Sequence, residues 1–383
     1  MRLLHTADWH AGRTLGRRNL DEGLSKTLQQ LVDYAVREKV EAVLLAGDVF
    51  EHTRPSPQSQ ELVYETLLRL WHERIPVCLI AGNHDSVGHW QALSPLFKLA
   101  DVHISSVLST RGICTLKTRS GPLHLATLPW PSERLLAPLA LSGNHEDQLK
   151  MSWADRVRQL VQVLCQQLPG DGPRVLLGHL MINGSVPSSS QRALTIADTY
   201  AVASEIFPNF LNYVALGHVH KPQVVAAPVK SHYAGSLRPL DFGEAGQARG
   251  FCRVEVGVGR ATEVEFVEIP AAQPLHEIRL ARQALDSLPQ LAALPGFYKV
   301  VVEVDTPEAG LADRVRQLLP DALIVQAQLR ARAQDNERSS PEKLLDPLLT
   351  FRDFHQSSYG TDPDAELEQL FGELLEEVSH EAP

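Results

Sequence analysis

Five short apolar runs in this chain each end in a side chain that could bind a metal ion. The metal-type side chains at these ends are Asp8 and His10, Asp48, Asn83, His179, and His218 and His220. Short apolar runs bounded by glycine are typical of buried strands. Five strand ends that carry Asp, Asn or His therefore predict that one edge of a sheet collects ligands for a metal centre.

The spacing and number of these side chains favour two metal ions over one. Asp8 and His10 lie two residues apart, as do His218 and His220. Residues two apart on an extended backbone project to the same side, so each pair can reach one cluster. Seven ligands exceed what one four-coordinate ion uses. Two ions about 3.5–4 Å apart are a common arrangement for displacement at phosphorus.

The ligand types narrow the choice of metal. The set combines carboxylate, amide oxygen and imidazole, and it contains no thiolate. This mixture favours Mn²⁺, Fe or Zn²⁺ over a soft metal, and it makes an all-oxygen Mg²⁺ cage unattractive. We therefore expect two divalent metal ions, with Mn²⁺ first and Fe, Zn²⁺ and Mg²⁺ left open.

The five short segments that carry these side chains are called the motif blocks below. In this order, they resemble the motif series of the calcineurin-like metallophosphoesterases. Segments 48–57, 178–223 and 233–244 resemble the nuclease branch of that superfamily more particularly. The resemblance covers most of residues 1 to about 270 and extends more loosely to the C-terminus. It implies an α/β (α+β) fold, in which a four-layer β-sandwich is flanked by helices and followed by a small α/β capping domain and a C-terminal helical segment.

The nuclease branch implies a specific activity and specific partners. The expected reaction is hydrolysis of DNA phosphodiesters, as a 3′–5′ exonuclease on duplexes and an endonuclease on single strands. The expected setting is double-strand break repair, recombination and hairpin processing, together with a coiled-coil ATPase of the SbcC type. A homodimer would form through helices near 58–74 and 89–100. The alternative is a metallophosphodiesterase of the same superfamily that acts on a small substrate.

Two further residues are candidates for catalysis. The resemblance makes the His of Gly-Asn-His-Asp, His84, a catalytic group rather than a ligand, and imidazole suits proton transfer near neutral pH. Some relatives carry His or Asp three residues after the Asp of the second block, where this chain has Glu51. We therefore predict that Glu51 orients His84, and we leave open whether His52 contacts phosphate instead.

Several basic residues flank the motif blocks and are candidates for contacts with the DNA backbone. They are Arg13, Arg17, Arg54, Lys221 and Arg238. A charged loop that is merely solvated is the competing interpretation. The net charge of −10 is unlike that of a self-sufficient nucleic-acid binder. Bound metal ions or the ATPase partner would have to supply positive charge.

The composition changes after Pro270 and divides the chain into three predicted parts. Residues 1–272 form the phosphoesterase domain. Residues 273–332 follow a β-α-β-α-β pattern typical of a small second domain, which the resemblance implies is the capping domain. Residues 333–383 form a polar linker and an acidic, apolar-patterned segment, which the resemblance implies docks on the ATPase.

Composition also bears on the compartment and on other classes of function. No apolar run approaches the roughly 18 residues of a membrane-spanning helix, so no membrane association is expected. The four cysteines are scattered without paired spacing, which is usual in a reducing cytoplasm. A scaffold that has lost catalysis would have lost ligands, and the complete set argues against that class.

Overall fold

The structure is a computed structural model that describes residues 1–139, 151–188, 200–329, 351–352, 355–356, 361–364 and 367–372. Residues 1–328 form one compact unit and residues 329–383 a second one. The predicted linker at 333–342 lies outside the described residues. So do parts of three other predicted segments, namely the helix 148–167, the loop 184–191 and the unassigned stretch 133–142.

The first unit contains nineteen strands and seven α-helices among its described residues. The strands are β1 (Arg2–Thr6), β2 (Thr14–Leu15), β3 (Arg18–Asn19), β4 (Ala42–Ala46), β5 (Val77–Ile80), β6 (Val102–Ser105), β7 (Ile113–Thr118), β8 (Gly121–Leu128), β9 (Arg174–His179), β10 (Met181–Ile182), β11 (Ala201–Val202), β12 (Tyr213–Gly217), β13 (Gln223–Val225), β14 (Ser231–Tyr233), β15 (Gly250–Glu255), β16 (Glu263–Glu268), β17 (Leu275–Ala281), β18 (Phe297–Val304) and β19 (Ala322–Leu329). The helices are α1 (Asp21–Arg37), α2 (Pro57–His72), α3 (Val87–Phe97), α4 (Glu133–Leu136), α5 (Trp153–Gln166), α6 (Leu288–Leu291) and α7 (Leu311–Leu318).

Two six-stranded sheets form the centre of this unit. The first has the order β16-β15-β1-β4-β5-β6, and the second has the order β13-β14-β12-β9-β8-β7. The strands β1, β4, β5 and β6 are parallel, as are β14, β12, β9 and β8. In the first sheet β15 and β16 are antiparallel to their neighbours, and in the second sheet the two outer strands, β13 and β7, are antiparallel to theirs. The carboxyl ends of the inner parallel strands therefore meet along one edge of each sheet.

Three hydrophobic layers hold four layers of structure together. One core lies between the two sheets and includes Leu44 and Val175. A second core packs α1, α2 and α3 on the outer face of the first sheet, and a third packs α5 on the second sheet. The strands β4 and β12 are buried at every residue because both faces are covered. The predicted four-layer sandwich is therefore confirmed.

Local sequence explains the helices that cover the first sheet. Leu24, Leu28, Leu31 and Ala35 recur at helical spacing and form the buried face of α1. At the start of α2, the side chain of Ser56 accepts a hydrogen bond from the third following amide, and a proline occupies the first turn. These signals explain why the predicted helices differ from the observed ones by only a few residues.

A third sheet of order β17-β18-β19 has its own hydrophobic core with α7. A separate apolar cluster joins it to the first domain through Leu15, Phe242 and Leu275. The apolar pattern of 281–294 predicts one helix, and this prediction is wrong: the segment forms a 3₁₀-helix at Arg282–Ser287 and then the short α6. Pro289 explains the break, because a proline inside a helix lacks the amide donor and is accommodated only in a first turn. The predicted boundary at 272/273 stays a prediction.

The second unit, taken by itself, contains helical residues at its described positions. The rings of Phe351 and Phe371 stack with their centroids 4.2 Å apart, and Arg352 pairs with Glu368. Leu367 and Leu370 are exposed. Among the described residues of the whole chain, none of the helices has the length and apolar character needed to cross a membrane.

Candidate metal centre

The seven predicted ligands all lie where inner strands of the two sheets end. Asp8 and His10 follow β1, Asp48 follows β4, and Asn83 follows β5. On the second sheet, His179 is the last residue of β9, and His218 and His220 follow β12. Because these strands are parallel within each sheet, their carboxyl ends bring the side chains to one edge of the sandwich.

Glycines allow the two sheets to approach each other closely at this edge. A Cβ placed on Gly217 would lie 1.9 Å from the Ala46 carbonyl oxygen of the opposite sheet. A Cβ on Gly47 would lie 2.4 Å from Nδ1 of His179. Distances this short exclude any side chain at these positions. The glycines before Asp48 and His218 are therefore required by the packing of one sheet on the other.

Four of the seven residues have a left-handed backbone, which side-chain-bearing residues rarely adopt. The φ angles are 52° at Asp8, 47° at His10, 50° at Asp48 and 99° at His218. Conformations of this kind cost on the order of 1–3 kcal/mol each and cluster at functional sites. The surrounding hydrogen bonds hold them in place: the Asp8 amide donates to the Gly47 carbonyl at 3.0 Å, and the His218 amide donates to the Asp8 carboxylate at 3.1 Å.

The side chains form two adjoining groups. In one, the ligand atoms of Asp8, His10 and His220 lie within 4.8 Å of one another, and in the other the same holds for Asp48, His179 and His218. Carboxylate oxygen Oδ2 of Asp48 joins the groups, because it lies 3.3 Å from Nε2 of His179 and 3.8 Å from Nε2 of His10.

Asn83 belongs to the second of these groups. Its side-chain oxygen lies 3.1 Å from Nε2 of His179 and 3.0 Å from Nδ1 of His218. Trp130 closes this side of the group, since its ring stacks on the His218 ring with the centroids 5.0 Å apart. The sequence reasoning missed Trp130, because no motif includes it.

Protein acceptors hold the Nδ1 atoms of three of the histidines. Nδ1 of His10 lies 2.8 Å from a Glu51 carboxylate oxygen, Nδ1 of His179 lies 2.7 Å from the Ala46 carbonyl, and Nδ1 of His220 lies 3.1 Å from a Glu244 carboxylate oxygen. Carbonyls and ionised carboxylates only accept, so Nδ1 carries the proton in each ring. The lone pair of Nε2 is then directed to the centre, as in protein metal sites.

The buried acceptors of this centre fit divalent cations. Nε2 of His10 is buried and has no hydrogen-bond partner among the described residues. Burial raises the pKa of Asp8 to about 6 and lowers that of His10 to about 4. Burial also lowers the pKa of His179, but the Asp48 carboxylate outweighs this effect and raises it to about 9. Divalent cations would neutralise the converging carboxylates and displace the proton from Nε2 of His179, which explains why these groups can be buried together.

His84 lies beside the two groups and is partly exposed. Its amide donates to a carboxylate oxygen of Asp48 at 2.8 Å, and its Nδ1 donates to the backbone carbonyl of Glu51 at 2.9 Å. Its ring contacts the ring of His10 edge to face, with the centroids 4.8 Å apart. With Nδ1 occupied, Nε2 is the ring nitrogen available for proton exchange.

The predicted side-chain pairing of Glu51 with His84 needs correction. The group of Glu51 that accepts Nδ1 of His84 is its backbone carbonyl. Its carboxylate instead contacts Nδ1 of His10 at 2.8 Å and Nη1 of Arg13 at 2.7 Å. Burial opposes ionisation of Glu51, yet the hydrogen bond from His10 holds its pKa at about 2. The Glu51 carboxylate lies within 4.8 Å of a His84 ring nitrogen, but its hydrogen bonds go to His10 and Arg13, and the carbonyl is the group that accepts Nδ1 of His84.

Sequence reasoning gave no role to three charged residues that support the centre. Glu244 is fully buried, and its carboxylate contacts Nδ1 of His220 and, at 3.1 Å, Nη2 of Arg249. Arg249 also donates to the backbone carbonyl of His220. Asp85 accepts the amides of Val49, Phe50 and Gly82, and so fastens the loop after β5 to the loop after β4. In the sequence, only two short segments could have pointed to these carboxylates. Asp85 ends Gly-Asn-His-Asp (82–85), and Glu244 ends Asp-Phe-Gly-Glu (241–244).

The five basic residues predicted to contact DNA differ in their exposure to solvent. Arg17, Arg54 and Lys221 are exposed. Arg13 is partly exposed, but it is engaged by Glu51 and by the Leu240 carbonyl at 3.1 Å. Arg238 is 4% exposed, and it donates to the carbonyls of Leu20 and His10. Arg238 therefore holds the backbone around His10 and cannot reach a phosphate backbone.

We expect Glu244→Gln to weaken both the fold and metal binding. Removing one charge of a buried pair leaves Arg249 uncompensated, at a cost on the order of 3 kcal/mol in the free energy of unfolding near pH 7. Burial opposes ionisation of Glu244, but His220 and Arg249 hold its pKa at about 2, below the ordinary 4.5. Its ionised form therefore contributes stability above pH 4.5 that is lost as the pH falls through about 2. Urea unfolding at several pH values should show the gap to the wild type shrinking over that range.

The matched control is Glu263→Gln, an exposed glutamate on β16. It should leave the free energy of unfolding within about 0.5 kcal/mol of the wild type. In Glu244→Gln, loss of the contact that fixes the His220 ring should lower the affinity for Mn²⁺ by about 10-fold or more, measured by calorimetric titration. Equal effects of the two substitutions would refute the role given to Glu244.

Comparison with known proteins agrees with this geometry. The family model of the calcineurin-like phosphoesterases matches residues 1–222. The chain is 28% identical to the D subunit of the SbcCD nuclease of Bacillus subtilis (strain 168), over 100% of this chain and 99% of that protein. It is 30% identical to the D subunit of the SbcCD nuclease of Rhodobacter capsulatus, over 76% of this chain and 75% of that protein.

Solved structures give weaker similarities. The Thermus thermophilus protein TT1561 aligns with a TM-score of 0.37 at 12% identity, over 69% of this chain and 98% of its own. A dimetal phosphatase from Danio rerio aligns with a TM-score of 0.38 at 14% identity, over 70% of this chain and 99% of its own. The family match and the two curated relatives decide the assignment: the chain belongs to the calcineurin-like phosphoesterase family and, within it, to the group of SbcCD nuclease D subunits.

Proposed function

We propose that this chain hydrolyses DNA phosphodiester bonds at a centre of two divalent metal ions. The observation that carries the proposal is the convergence of seven candidate ligands into two adjoining groups, joined by Asp48, with His84 beside them. Two adjoining sites suit in-line displacement at phosphorus, where both the attacking and the leaving oxygen need stabilisation. The names of the two curated relatives support DNA as the substrate.

The donor set supports Mn²⁺ as the first candidate for both ions. Asp8, His10 and His220 would hold one ion, and Asp48, Asn83, His179 and His218 would surround the other. Each group mixes hard oxygen with imidazole nitrogen, which suits Mn²⁺, Fe and Zn²⁺ better than Mg²⁺. When bound, the ions would polarise the phosphodiester, activate water and neutralise negative charge that develops at phosphorus.

The chain's own residues provide orientation and a proton. The Glu51 carbonyl fixes Nδ1 of His84, so that Nε2 can protonate the leaving sugar oxygen. The Glu51 and Glu244 carboxylates fix the rings of His10 and His220. Glu51 thus acts as a positioning residue for both His10 and His84. His52 lies exposed on the same loop and stays a second candidate for a phosphate contact.

The DNA-binding surface is proposed to be shared between this chain and a partner. Arg17, Arg54 and Lys221 are exposed next to the motif blocks, and we propose them as phosphate contacts. They are few, and the chain as a whole carries a net charge of −10. Binding of DNA by this chain alone should therefore be weak at physiological salt, because affinity depends on the number of neutralised phosphates.

We expect His84→Ala to abolish DNA cleavage while leaving metal binding intact. Removal of a general acid typically costs about 10²–10⁴-fold in rate. The assay is cleavage of end-labelled linear duplex and single-stranded DNA with Mn²⁺. Calorimetric titration of Mn²⁺ on the same variant should give the wild-type stoichiometry, because His84 is placed outside the ligand set.

His72→Ala is the control, since His72 is exposed at the end of α2 and its variant should cleave DNA at the wild-type rate. Wild-type cleavage by His84→Ala would overturn the role given to His84.

A small diester such as bis(p-nitrophenyl) phosphate distinguishes a DNA nuclease from the competing function, a small-substrate phosphodiesterase. Hydrolysis of that diester with no cleavage of DNA, with or without the ATPase partner, would favour a small-substrate phosphodiesterase.

A homodimer through α2, α3 and the 3₁₀ turn Lys98–Ala100 is proposed from the exposed apolar side chains of these elements. Trp71 is 39% exposed, Leu96 65% and Leu99 81%. Large apolar side chains exposed together are typical of an interaction surface. Two copies of an exonuclease centre would suit the two strands of a DNA end.

We expect Leu96→Glu with Leu99→Glu to convert the dimer to a monomer, because two buried charges would oppose association. Light scattering coupled to size-exclusion chromatography measures the mass. Val258→Glu is the control, because Val258 is 65% exposed in a loop between β15 and β16. A wild-type protein that is monomeric at micromolar concentration would contradict the proposal.

The C-terminal segment, 333–383, is proposed to dock on a coiled-coil ATPase of the SbcC type. The relatives are subunits of a two-component nuclease by name, which supports a partner of this kind. Leu367 and Leu370 are 39% and 51% exposed and lie three residues apart, as on one face of a helix.

The cytoplasm is proposed as the compartment, since none of the four cysteines forms a disulfide.

We expect Leu367→Asp with Leu370→Asp to reduce co-purification with the ATPase by about 10-fold or more, because docked apolar side chains dominate interface energy. The variant should keep its activity on the small diester. Asp362→Ala, an exposed position in the same segment, is the control. Retention of the ATPase by the double variant would assign docking to another surface.

A further inference from the structure

A cavity of about 390 Å³ lies outside the candidate metal centre, between the ends of β6 and β7. Its lining includes the side chains of Cys78, His103, Arg111 and Cys114, with serines from the loop between β6 and β7. The proposed reaction uses none of these residues.

The two thiols come from opposite sheets and contact each other. Cys78 lies on β5 of the first sheet, and Cys114 lies on β7 of the second. Their sulfur atoms are 3.9 Å apart. Cys78 is fully buried, whereas Cys114 is partly exposed. A reagent that enters the cavity would therefore meet Cys114 first, with Cys78 directly behind it.

The surroundings favour the thiolate of Cys114. His103 is paired in register with Cys78 on the neighbouring strand, and the two side chains thus lie on the same face of the first sheet. The contact with the Cys78 thiol lowers the pKa of Cys114 to about 6 against the opposing effect of burial, with His103 acting in the same direction as Cys78. By contrast, burial raises the pKa of Cys165 and of Cys252 to about 12. The thiolate is the reactive form, so the four cysteines are not equivalent.

We propose that Cys114 and Cys78 form a peroxide-reactive dithiol that closes to a disulfide between the two sheets. The oxidant is a hydroperoxide that reaches Cys114 through the cavity. The consequence is a reversible covalent link between β5, which leads into Asn83 and His84, and the outer strand of the opposite sheet.

The reaction balances in two steps. The Cys114 thiolate attacks the terminal peroxide oxygen, the O–O bond breaks, and the other oxygen leaves and takes up a proton to become water or an alcohol. Cys114 is then a sulfenic acid. The Cys78 sulfur attacks the sulfenic sulfur, the S–O bond breaks, and the hydroxyl leaves as water with the Cys78 proton. The thiols lose two electrons in total and the peroxide gains them.

The contact between the two sulfur atoms favours formation of the link. The sulfur atoms are 3.9 Å apart, closing the bond brings them to about 2 Å, and the cavity leaves free space beside both side chains. Cys165 lies on the buried face of α5, in a core that contains none of the other three cysteines, and Cys252 is hydrogen-bonded to Tyr213. The cavity pair is therefore the one that peroxide should select.

The test uses the full-length chain, reduced and then treated with hydrogen peroxide at neutral pH. After the remaining thiols are blocked, digestion without reductant and mass spectrometry should reveal one disulfide-linked peptide pair, Cys78 with Cys114, that dithiothreitol reverses. Cys78→Ser should stop the reaction at the sulfenic acid, which dimedone captures on Cys114. Cys165→Ser is the matched control and should form the disulfide as the wild type does.

Two results would overturn the proposal. One is oxidation of Cys114 in the wild type no faster than that of Cys165 and Cys252, where we expect a difference of more than about 10-fold. The other is a Cys114 that oxidises quickly but stays unpaired in the wild type. Labelling of the buried Cys165 and Cys252 also reports unfolding, so a misfolded variant is recognised. If a variant is misfolded, the disulfide map of the wild type tests the proposal by itself.

Discussion

The candidate metal centre depends on one constraint, which is that Nδ1 of each of three histidines is committed to a protein acceptor. Glu51, the Ala46 carbonyl and Glu244 fix the rings of His10, His179 and His220. Nε2 of each ring therefore faces the centre. These acceptors come from β4, from the loop after it and from the loop after β14, so much of the fold serves to set three ring orientations.

Close approach of the two sheets is the second condition, and it rests on very small residues. The contact of Gly217 with the Ala46 carbonyl leaves no room for a Cβ, and the same carbonyl accepts Nδ1 of His179. One backbone oxygen thus joins sheet packing to ligand orientation. A change that separates the sheets at this edge would displace both groups of ligands together, which makes stability and activity hard to uncouple here.

Charge balance links the centre to the rest of the molecule. Asp8 and Asp48 are buried among imidazoles, and Glu51 and Glu244 are buried against Arg13 and Arg249. Such groups are tolerated only when cations or hydrogen bonds compensate them. Arg238 is predicted to contact DNA because it lies next to a motif block. Its guanidinium instead donates to backbone carbonyls in the interior. Position next to a motif does not tell whether an arginine faces solvent or the interior.

The sequence by itself determined the candidate ligand set and the strands that carry it, because strand periodicity and glycine-bounded ends are local properties, and its family resemblance implied the four-layer architecture. It could not determine the partners of Glu51, Arg238, Glu244 and Arg249, since these contacts join segments up to 228 residues apart. It also could not reveal Trp130 or the contact of Cys78 with Cys114. The order of strands in the second sheet brings Trp130 to His218, and the packing of one sheet on the other brings Cys78 to Cys114. Both arrangements are properties of the tertiary structure.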